Sequence, residues 1–431
     1  MRRKTLLWIL LSASLAILMS AGSVFASGFA LYEGGARGLV LGAGMTAAAD
    51  DASAVFYNPA GITQLKGIQT MIGATFINPN MNVVTEGTPT GDQETGLKSF
   101  WHTVPHAYYT QQLNDRFWLG LGLFSRFGLE TEFPENWPGR YNSYHGQVQS
   151  IELNPNIAYK INDRLSVAGG LNITYFNFNH YQKKIPAGAI NPAFAGQPDL
   201  DASLEADSWG WGLNLAVHYK PVDWFSGGIS YRSRVSQHLE GDADFTKPST
   251  IAPLIPTLFN DTGIGGNVRL PDMVFAGVKF IPLSSLKTLS VGGGVYWTNW
   301  STYKQLTIRY DDPITPGNNE TKTNKNWSDT FRYMIGAEWN ATPWMDVRLG
   351  YAYDESPVTD EHIDYLLPDS DRHQFAVGLG FHQGPWLVDV TYMYLMFVSR
   401  DVKARPADGI YEGEVKDAYA HLIGLSLGYK F

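Results

Sequence analysis

The feature that most constrains this chain of 431 residues is an alternation of apolar with small or polar residues, which recurs from about Gly67 to the C terminus. In the last segment, alternate residues from Tyr419 to Phe431 are mostly large and apolar, and the residues between them are mostly small or polar. A period of two marks a β-strand with one apolar face. Fourteen such segments are centred near residues 72, 106, 121, 154, 172, 212, 230, 275, 296, 334, 348, 377, 392 and 424. The apolar face meets a second sheet in a soluble sandwich, whereas in a membrane barrel it meets lipid.

The lengths of the connections distinguish these two classes. Short connections lie near residues 114–116, 162–164, 220–223, 282–287, 340–343 and 383–385, and they alternate with long ones at 79–99, 128–145, 181–199, 241–264, 311–326, 355–370 and 403–416. Such alternation over an even number of strands is typical of an outer-membrane barrel, with short periplasmic turns and long extracellular loops. We therefore predict an all-β fold, a fourteen-stranded antiparallel transmembrane β-barrel over residues 67–431. Tryptophans near the predicted strand ends suit its two interfacial girdles: Trp118, Trp224, Trp297, Trp300, Trp344 and Trp386.

Composition excludes several other classes. The mean hydropathy is −0.17, which argues against a bundle of membrane-spanning helices. The chain has no cysteine, which excludes disulfides and thiolate chemistry. Its formal net charge of −9 argues against a nucleic-acid partner.

The N terminus reads as a secretory signal peptide over residues 1–26. A basic start is followed by an apolar stretch at residues 5–19 and by a small-x-small cleavage site at residues 24–26. A retained anchor helix is the alternative. No cysteine follows the cleavage site, so a lipoprotein is excluded. A secretory signal peptide followed by a predicted membrane barrel predicts that the protein is located in the bacterial outer membrane.

Residues 27–66 differ from the rest of the chain because they are rich in glycine and alanine. The stretch Ala47–Ala54 has helix-forming content, and Asn58-Pro59 signals a turn. Side chains this small do not suit a lipid-facing surface, so we predict an N-terminal hatch that plugs the lumen. The alternative is a disordered periplasmic tail.

The sequence motifs that resemble catalytic or metal-binding sites lack the structural context that their chemistry requires. The glycine-rich stretch at 42–47 does not follow a strand, as a dinucleotide site requires. The letters of a nucleophile elbow at 424–428 lie inside a strand rather than on a strand-to-helix turn. His102 and His106 would lie about 13 Å apart on one strand, too far to share a metal ion. We therefore predict no catalytic residue, no cofactor and no metal site, and the protein is not expected to be an enzyme.

Two of the long loops are unexpectedly apolar. Exposed apolar patches usually mark an interaction site, so these loops suggest an extracellular groove for a hydrophobic molecule. The alternative is that the two loops merely pack on each other. The candidate groove residues are Ile185, Ile190, Phe194, Ile251, Leu254, Ile255, Leu258 and Phe259.

Short stretches along the whole mature chain match one known family in family order. They lie at residues 28–33, 48–53, 58–61, 128–133, 231–233, 270–273, 354–358 and 368–372. In these stretches the chain resembles the FadL/TodX (OmpP1) family, outer-membrane transporters of long-chain fatty acids and aromatic hydrocarbons. The resemblance implies passive transport: capture between the third and fourth extracellular loops, transfer to an internal site, a shift of the hatch, and lateral release where the third strand is kinked. It implies a hatch motif formed by Asp50, Asp51, Asn58, Pro59 and Ala60.

The resemblance also implies residues of the internal site. Phe29 and Ser125 match ligand-contacting positions, whereas Asn177 and Ser328 stand where fatty-acid members carry cations. A carboxylate without a cationic partner is costly to bury, so the ligand is either neutral or paired with another cation such as Arg126. A general porin for polar solutes is the rival function. Expected partners are the hydrophobic ligand, outer-membrane lipid with lipopolysaccharide, and the barrel-assembly machinery acting on the terminal Phe431; we expect a monomer.

Overall fold

The structure, a computed structural model, describes residues 27–282 and 288–431. The predicted signal peptide and most of the predicted turn at 282–287 lie outside these residues. The strands are β1 (Ile68–Glu86), β2 (Gln93–Gly96), β3 (His102–Gln112), β4 (Phe117–Phe124), β5 (Gly128–Glu132), β6 (His145–Lys160), β7 (Leu165–Ile185), β8 (Leu200–Val222), β9 (Phe225–Arg232), β10 (Val235–Thr246), β11 (Thr262–Leu270), β12 (Met273–Phe280), β13 (Leu289–Thr298), β14 (Gln305–Tyr310), β15 (Glu320–Asn324), β16 (Thr330–Thr342), β17 (Met345–Asp354), β18 (Arg372–Gln383), β19 (Trp386–Phe397), β20 (Arg400–Val402) and β21 (Glu412–Lys430). The α-helices are α1 (Ala36–Leu41), α2 (Gly44–Ala48), α3 (Ala54–Tyr57) and α4 (Ala187–Ile190), and short 3-10 helices span Pro59–Gln64, Pro138–Tyr141, Pro192–Phe194, Ala252–Leu254, Trp300–Thr302 and Pro406–Asp408.

These strands form one closed antiparallel barrel. Strand β1 pairs with β3 on one side and with β21 on the other, from Gln69 opposite Lys430 to Glu86 opposite Glu412. Several barrel strands consist of two consecutive pieces, among them β4 with β5 and β9 with β10. The prediction of a fourteen-stranded antiparallel barrel is confirmed, and each predicted segment centre lies inside a barrel strand.

The barrel strands extend further into the predicted loops than the sequence suggested. Strand β7 continues to Ile185, where it pairs with Leu200 at the start of β8. Strand β10 likewise continues to Thr246. The prediction that Ile185 is a loop residue is therefore wrong. Apolar alternation fades beyond the lipid-facing region, but backbone pairing persists until Pro186, which has no N–H for the ladder.

The outer surface of the barrel is apolar and its inner surface is polar. Along β8, Trp211 is 72% exposed and Leu215 is 61% exposed, whereas Asn214 and His218, on the opposite face of the strand, are buried. This is the reverse of a soluble protein and matches a barrel that faces lipid. Among the described residues, no helix is long and apolar enough to cross a membrane.

The predicted hatch, residues 27–66, lies within this barrel and is almost entirely buried. Its backbone hydrogen-bonds barrel side chains on several sides: Gly34 with Tyr108, Ala36 with Thr391 and Ser426, Ala47 with His218, and Ala60 with Ser166. The helix-forming stretch 47–54 does not form one helix, because Ala49 takes a left-handed conformation (φ 42°) that ends α2. These contacts hold residues 27–66 against the inner face of the barrel wall.

Glycine in the barrel wall lets the hatch approach closely. A Cβ atom on Gly277 would lie 1.9 Å from the carbonyl oxygen of Ala43, and one on Gly228 would lie 2.1 Å from that of Thr46. Any larger residue would push α2 away from the wall. The glycines on the inner face of these strands therefore position the plug.

Candidate internal binding site

The third barrel strand is interrupted, and the start of the hatch lies against the interruption. The ladder between β3 and the third barrel strand ends at the pair His106 and Phe124. Beyond it, the N–H of Leu31 donates to the carbonyl of Arg126 (2.7 Å), and the N–H of Gly128 donates to the carbonyl of Phe29 (2.9 Å). The hatch thus supplies backbone partners that β3 does not.

Phe29 is enclosed by an aromatic cage, which we define as Phe127, Phe176, Trp300, Tyr303 and Trp327. Its ring centroid lies 4.7 Å from Trp300, 5.7 Å from Trp327, 5.9 Å from both Phe127 and Tyr303, and 6.4 Å from Phe176. All six side chains are buried. Among the described residues, the indole N–H of Trp300 finds no hydrogen-bond acceptor. The cage is an apolar, ring-lined space that Phe29 now fills.

The sequence missed these cage residues. Trp300 is buried in the lumen rather than placed in an interfacial girdle, and Trp118 is also buried, donating its indole N–H to Leu65. The available signal was position: Trp300, Tyr303 and Trp327 stand in the gaps between β13, β14, β15 and β16, where strand alternation stops. Girdle tryptophans belong on the outer face of regular strands.

Asn177 and Ser328 are not among the cage residues, so their role in the internal site stays a prediction. Asn177 faces outward beside Tyr175, to whose hydroxyl it donates (3.4 Å), while its neighbour Phe176 turns inward. Ser328 is exposed, while its neighbour Trp327 turns inward to the cage. In both cases the adjacent residue occupies the site.

Arg126 lies beside the cage and shares one carboxylate with a second arginine. Its Nε donates to Glu152 (2.7 Å), and the same carboxylate accepts from Arg232 (3.2 Å). Arg232 also donates to the carbonyls of Val55 (3.0 Å) and Phe56 (2.9 Å) in the hatch. All three charged side chains are buried. The predicted alternative cation is thus engaged by protein.

The remaining predicted residue, Ser125, is buried in the interruption between β4 and β5, next to Arg126. Two further cations near the cage also contact carboxylates. Lys325, which precedes Trp327 by two residues, contacts Asp364, and Arg372 lies 3.5 Å from Asp369. Asp369 also accepts from the N–H of Gly28 (3.0 Å). The surroundings of the cage therefore combine aromatic rings with cations that already contact carboxylates.

The predicted hatch motif sits where the hatch meets the wall. Arg37 contacts Asp50 and lies 3.1 Å from Asp51, and it also lies 2.7 Å from Glu338 of the barrel. Asn58 donates to the carbonyls of Thr46 (2.8 Å) in the hatch and Val217 (3.0 Å) in the barrel, and it accepts from the N–H of Ala60 (3.1 Å). Pro59 is buried at the first position of the 3-10 helix that follows. The motif residues therefore make polar contacts both within the hatch and between the hatch and the barrel wall.

The two apolar loops come together with strand residues in one hydrophobic cluster. The cluster buries Ile251, Ile255 and Phe259, and Ile185, Ile190, Phe194 and Leu258 pack against it partly buried. Leu254 is 62% exposed. The structure brings the predicted groove residues together, and it leaves part of their surface accessible.

A cleft of about 620 Å³ lies on another side of the 181–199 loop, toward the 403–411 loop. It is lined by Lys183, Ile185, Ile410 and Tyr411, among others. Burial lowers the pKa of the Lys183 ammonium, which the nearby Asp408 opposes. Within the described residues, no carboxylate lies within 4 Å of this ammonium group. The cleft therefore joins apolar residues to a cation without a close ion pair among the described residues, and Glu86 and Glu412 also line it.

A closed barrel with an apolar exterior and its own N-terminal segment packed inside has the architecture of an outer-membrane protein. The sequence profile of one family, described as outer membrane protein transport protein (OMPP1/FadL/TodX), matches residues 17–431. The chain belongs to this family, and it is an outer-membrane protein.

Relatives of known name agree with this assignment. The chain is 26% identical over 459 residues to the long-chain fatty acid transport protein of Escherichia coli O6:H1, covering 97% of each chain. Its fold is similar to that of a FadL homologue of Pseudomonas aeruginosa (TM-score 0.78, 19% identity, 95% of this chain and 100% of the other). It is also similar to the P. putida toluene transporter TodX (TM-score 0.67, 17% identity, 88% of this chain and 94% of the other).

Proposed function

We propose that this protein carries neutral hydrophobic molecules, such as aromatic hydrocarbons, passively across the outer membrane. The observation that carries the proposal is the aromatic cage around Phe29, because flat apolar ligands pack well among rings. The neighbouring cations Arg126, Lys325 and Arg372 already contact carboxylates. A ligand carboxylate there would have to compete with these protein carboxylates for a cation, which makes its burial costly.

The proposed route uses the three features described above. A ligand collects on the apolar loop cluster, displaces Phe29 from the cage, and leaves through the interruption between β4 and β5. Movement of the hatch at Arg37 and Asn58 opens the path. The driving force is partitioning of the ligand toward the inner side, and we propose no catalytic step. The filled lumen argues against the rival function of a general porin for polar solutes.

Uptake tests the proposal. An E. coli strain that lacks its own long-chain fatty acid transporter is made to express this protein and is supplied with radiolabelled toluene or oleate. We expect expression to raise the initial rate of toluene uptake over cells with an empty vector. Equal rates with and without the protein would refute transport, and a gain for oleate alone would refute the preference for neutral cargo.

Two substitutions with opposite expected effects test the cage. Phe29→Ala should bind toluene more tightly than the native protein, because an apolar cavity of this kind binds small aromatic molecules and the competing side chain is gone. Trp327→Ala should bind toluene more weakly, because the ligand loses a ring contact. Calorimetry on protein in lipid nanodiscs gives both values. Phe375→Ala, on the exposed outer face, is the matched control and should leave binding unchanged. Parallel changes in all three variants would exclude the cage.

A long-chain carboxylate is the second candidate cargo, favoured by the cleft in which Lys183 has no carboxylate of the described residues within 4 Å. Its headgroup would pair with this ammonium, and the indole N–H of Trp300 would donate to a polar oxygen deeper inside. In the same uptake assay, Lys183→Met should then lower oleate uptake and leave toluene uptake unchanged. Equal oleate uptake by both proteins would remove the cleft from the route.

The remaining partners follow from the location of the protein. We propose that residues 1–26 are removed as a signal peptide, that the mature protein works as a monomer surrounded by lipid and lipopolysaccharide, and that the barrel-assembly machinery recognises Phe431. The terminal residue supports that role because its N–H donates to Ile68 (2.9 Å), at the seam that closes the barrel.

A further inference from the structure

Histidine and glutamate side chains from different strands converge just beyond the interrupted third strand. One donor atom from each of Glu130, Glu132 and His145 lies within 4.8 Å of the other two. The ring Nε2 of His145 is 3.3 Å from Oε1 of Glu130. All three residues are partly exposed, so solvent and ions reach them.

A fourth residue, His102, comes from across the gap in the barrel wall. The ladder between β3 and the third strand has ended at His106, yet Nδ1 of His102 lies 3.3 Å from Oε2 of Glu130. Gln147 donates to the same oxygen (2.7 Å). Oε2 is thus held by His102 and Gln147, and Oε1 is left beside His145.

We propose that Glu130, Glu132 and His145 form a binding site for a divalent transition metal such as Zn²⁺. Zinc accepts imidazole nitrogen and carboxylate oxygen at about 2.0–2.2 Å, and a site with three protein ligands keeps a fourth position for water. Tetrahedral ligands at that distance are about 3.4 Å apart, which agrees with the 3.3 Å between His145 and Glu130. Glu132 reaches the metal by a small rotation, with one of its oxygens still 2.7 Å from Lys98.

The surrounding side chains orient the ligands. His102 and Gln147 fix the Glu130 carboxylate through its second oxygen, as partners of metal ligands commonly do. The ring of His180 stacks on that of His145 with centroids 5.0 Å apart, which sets the plane of the imidazole. Sequence spacing could not show this site because its ligands lie on β5 and β6 and the partner His102 lies on β3.

A bound metal would fasten β5 to β6 and, through His102, to β3. If ligands leave through the interruption, as the proposed function states, bound zinc should slow their release. This expected effect therefore rests on the proposed function. Metal binding itself is independent of the cargo and is tested without transport.

Zinc binding is measured by calorimetry on full-length mature protein purified with a tag that contains no histidine. An excess of Mg²⁺ occupies sites made of carboxylates alone. We expect one zinc ion per chain, loss of that binding in Glu130→Gln and in His145→Ala, and a weakening of about 10- to 100-fold in His102→Ala. His373→Ala and Glu320→Gln, on other parts of the barrel, are the matched controls and should bind zinc as the native protein does.

The heat-dependent shift in electrophoretic mobility shows whether each variant is a folded barrel, and only folded variants are compared. Absence of saturable zinc binding by the native protein would overturn the proposal. So would native-like binding by folded Glu130→Gln, or an equal loss in the two control variants. Zinc binding without any effect on uptake would retain the site and reject only its role in release.

Discussion

Two buried guanidinium groups share one buried carboxylate beside the cage. Arg126 and Arg232 contact different oxygens of Glu152, and the oxygen that Arg126 contacts also accepts from the hydroxyl of Thr174 (3.0 Å). Arg232 also donates hydrogen bonds to the backbone carbonyls of Val55 and Phe56 in the hatch. The carboxylate therefore supports both the start of the third-strand interruption and the position of α3.

Replacing this carboxylate should destabilise the barrel strongly. Glu152→Gln leaves two buried cations unpaired, and breaking a buried ion pair costs about 3 to 5 kcal/mol of unfolding free energy. Reversible urea unfolding in lipid vesicles measures the loss. Asp163→Asn, which removes an exposed ion pair with Lys160, is the control and should cost far less than Glu152→Gln. A loss for Glu152→Gln no larger than for Asp163→Asn would mean that Glu152 does not neutralise the pair.

The residues of the internal site could be predicted only in part. Phe29 and Ser125 adjoin stretches of distinctive sequence and lie at the interruption, and their contact with a ligand stays a prediction. Asn177 was placed inward, although Ile173 and Tyr175 share its outward face. Ser328 lies between β15 and β16, where no ladder enforces alternation. Matching residues by position alone cannot follow a register that bulges and breaks.

At the level of elements, the hatch is tied to the wall by a small number of charged contacts. Arg37 of α1 contacts Asp50 and Asp51 within the hatch and Glu338 on β16. Glu338 is also 2.7 Å from Arg348 on β17. Arg37 is therefore the link between the plug and two neighbouring strands.

Removing this link should loosen the plug without unfolding the barrel. Arg37→Gln should raise the ionic conductance of single proteins in planar bilayers, because the hatch then leaves the wall more often. Arg309→Gln, which breaks an exposed pair with Glu320, is the control and should conduct as the native protein does. Unchanged conductance in Arg37→Gln would show that other contacts suffice to hold the hatch.

The elements themselves were more predictable than their ends. Periodicity located every barrel strand because lipid-facing positions must be apolar and lumen positions need not be. Periodicity placed the starts of the loops too early, because strand pairing outside the lipid depends on backbone hydrogen bonds and these leave no apolar pattern in the sequence. The pairing of residues 181–185 with 200–204 is one such extension.

At the level of the whole molecule, stability depends on an outside that is less polar than the inside. The outward face of β8 carries Trp209, Trp211, Leu213, Leu215 and Val217, each strongly exposed. Opposite them lie small or polar residues that meet the hatch or the lumen. This inversion also accounts for the slightly negative mean hydropathy of −0.17 in a membrane protein, because the two faces compensate each other.

The inversion predicts a dependence on depth along β8. Leu215→Arg places a charge in the middle of the outward apolar stretch and should cost about 2 to 4 kcal/mol of unfolding free energy in a bilayer, whereas Val222→Arg, at the end of β8, should cost about 0 to 1 kcal/mol. Both residues are exposed and aliphatic, so the difference between them isolates the effect of lipid. Urea unfolding in phosphatidylcholine vesicles gives the two values. Equal costs at the two positions would mean that this face of β8 does not contact the hydrocarbon core, because only an apolar surrounding makes the same arginine more expensive at one depth than at another.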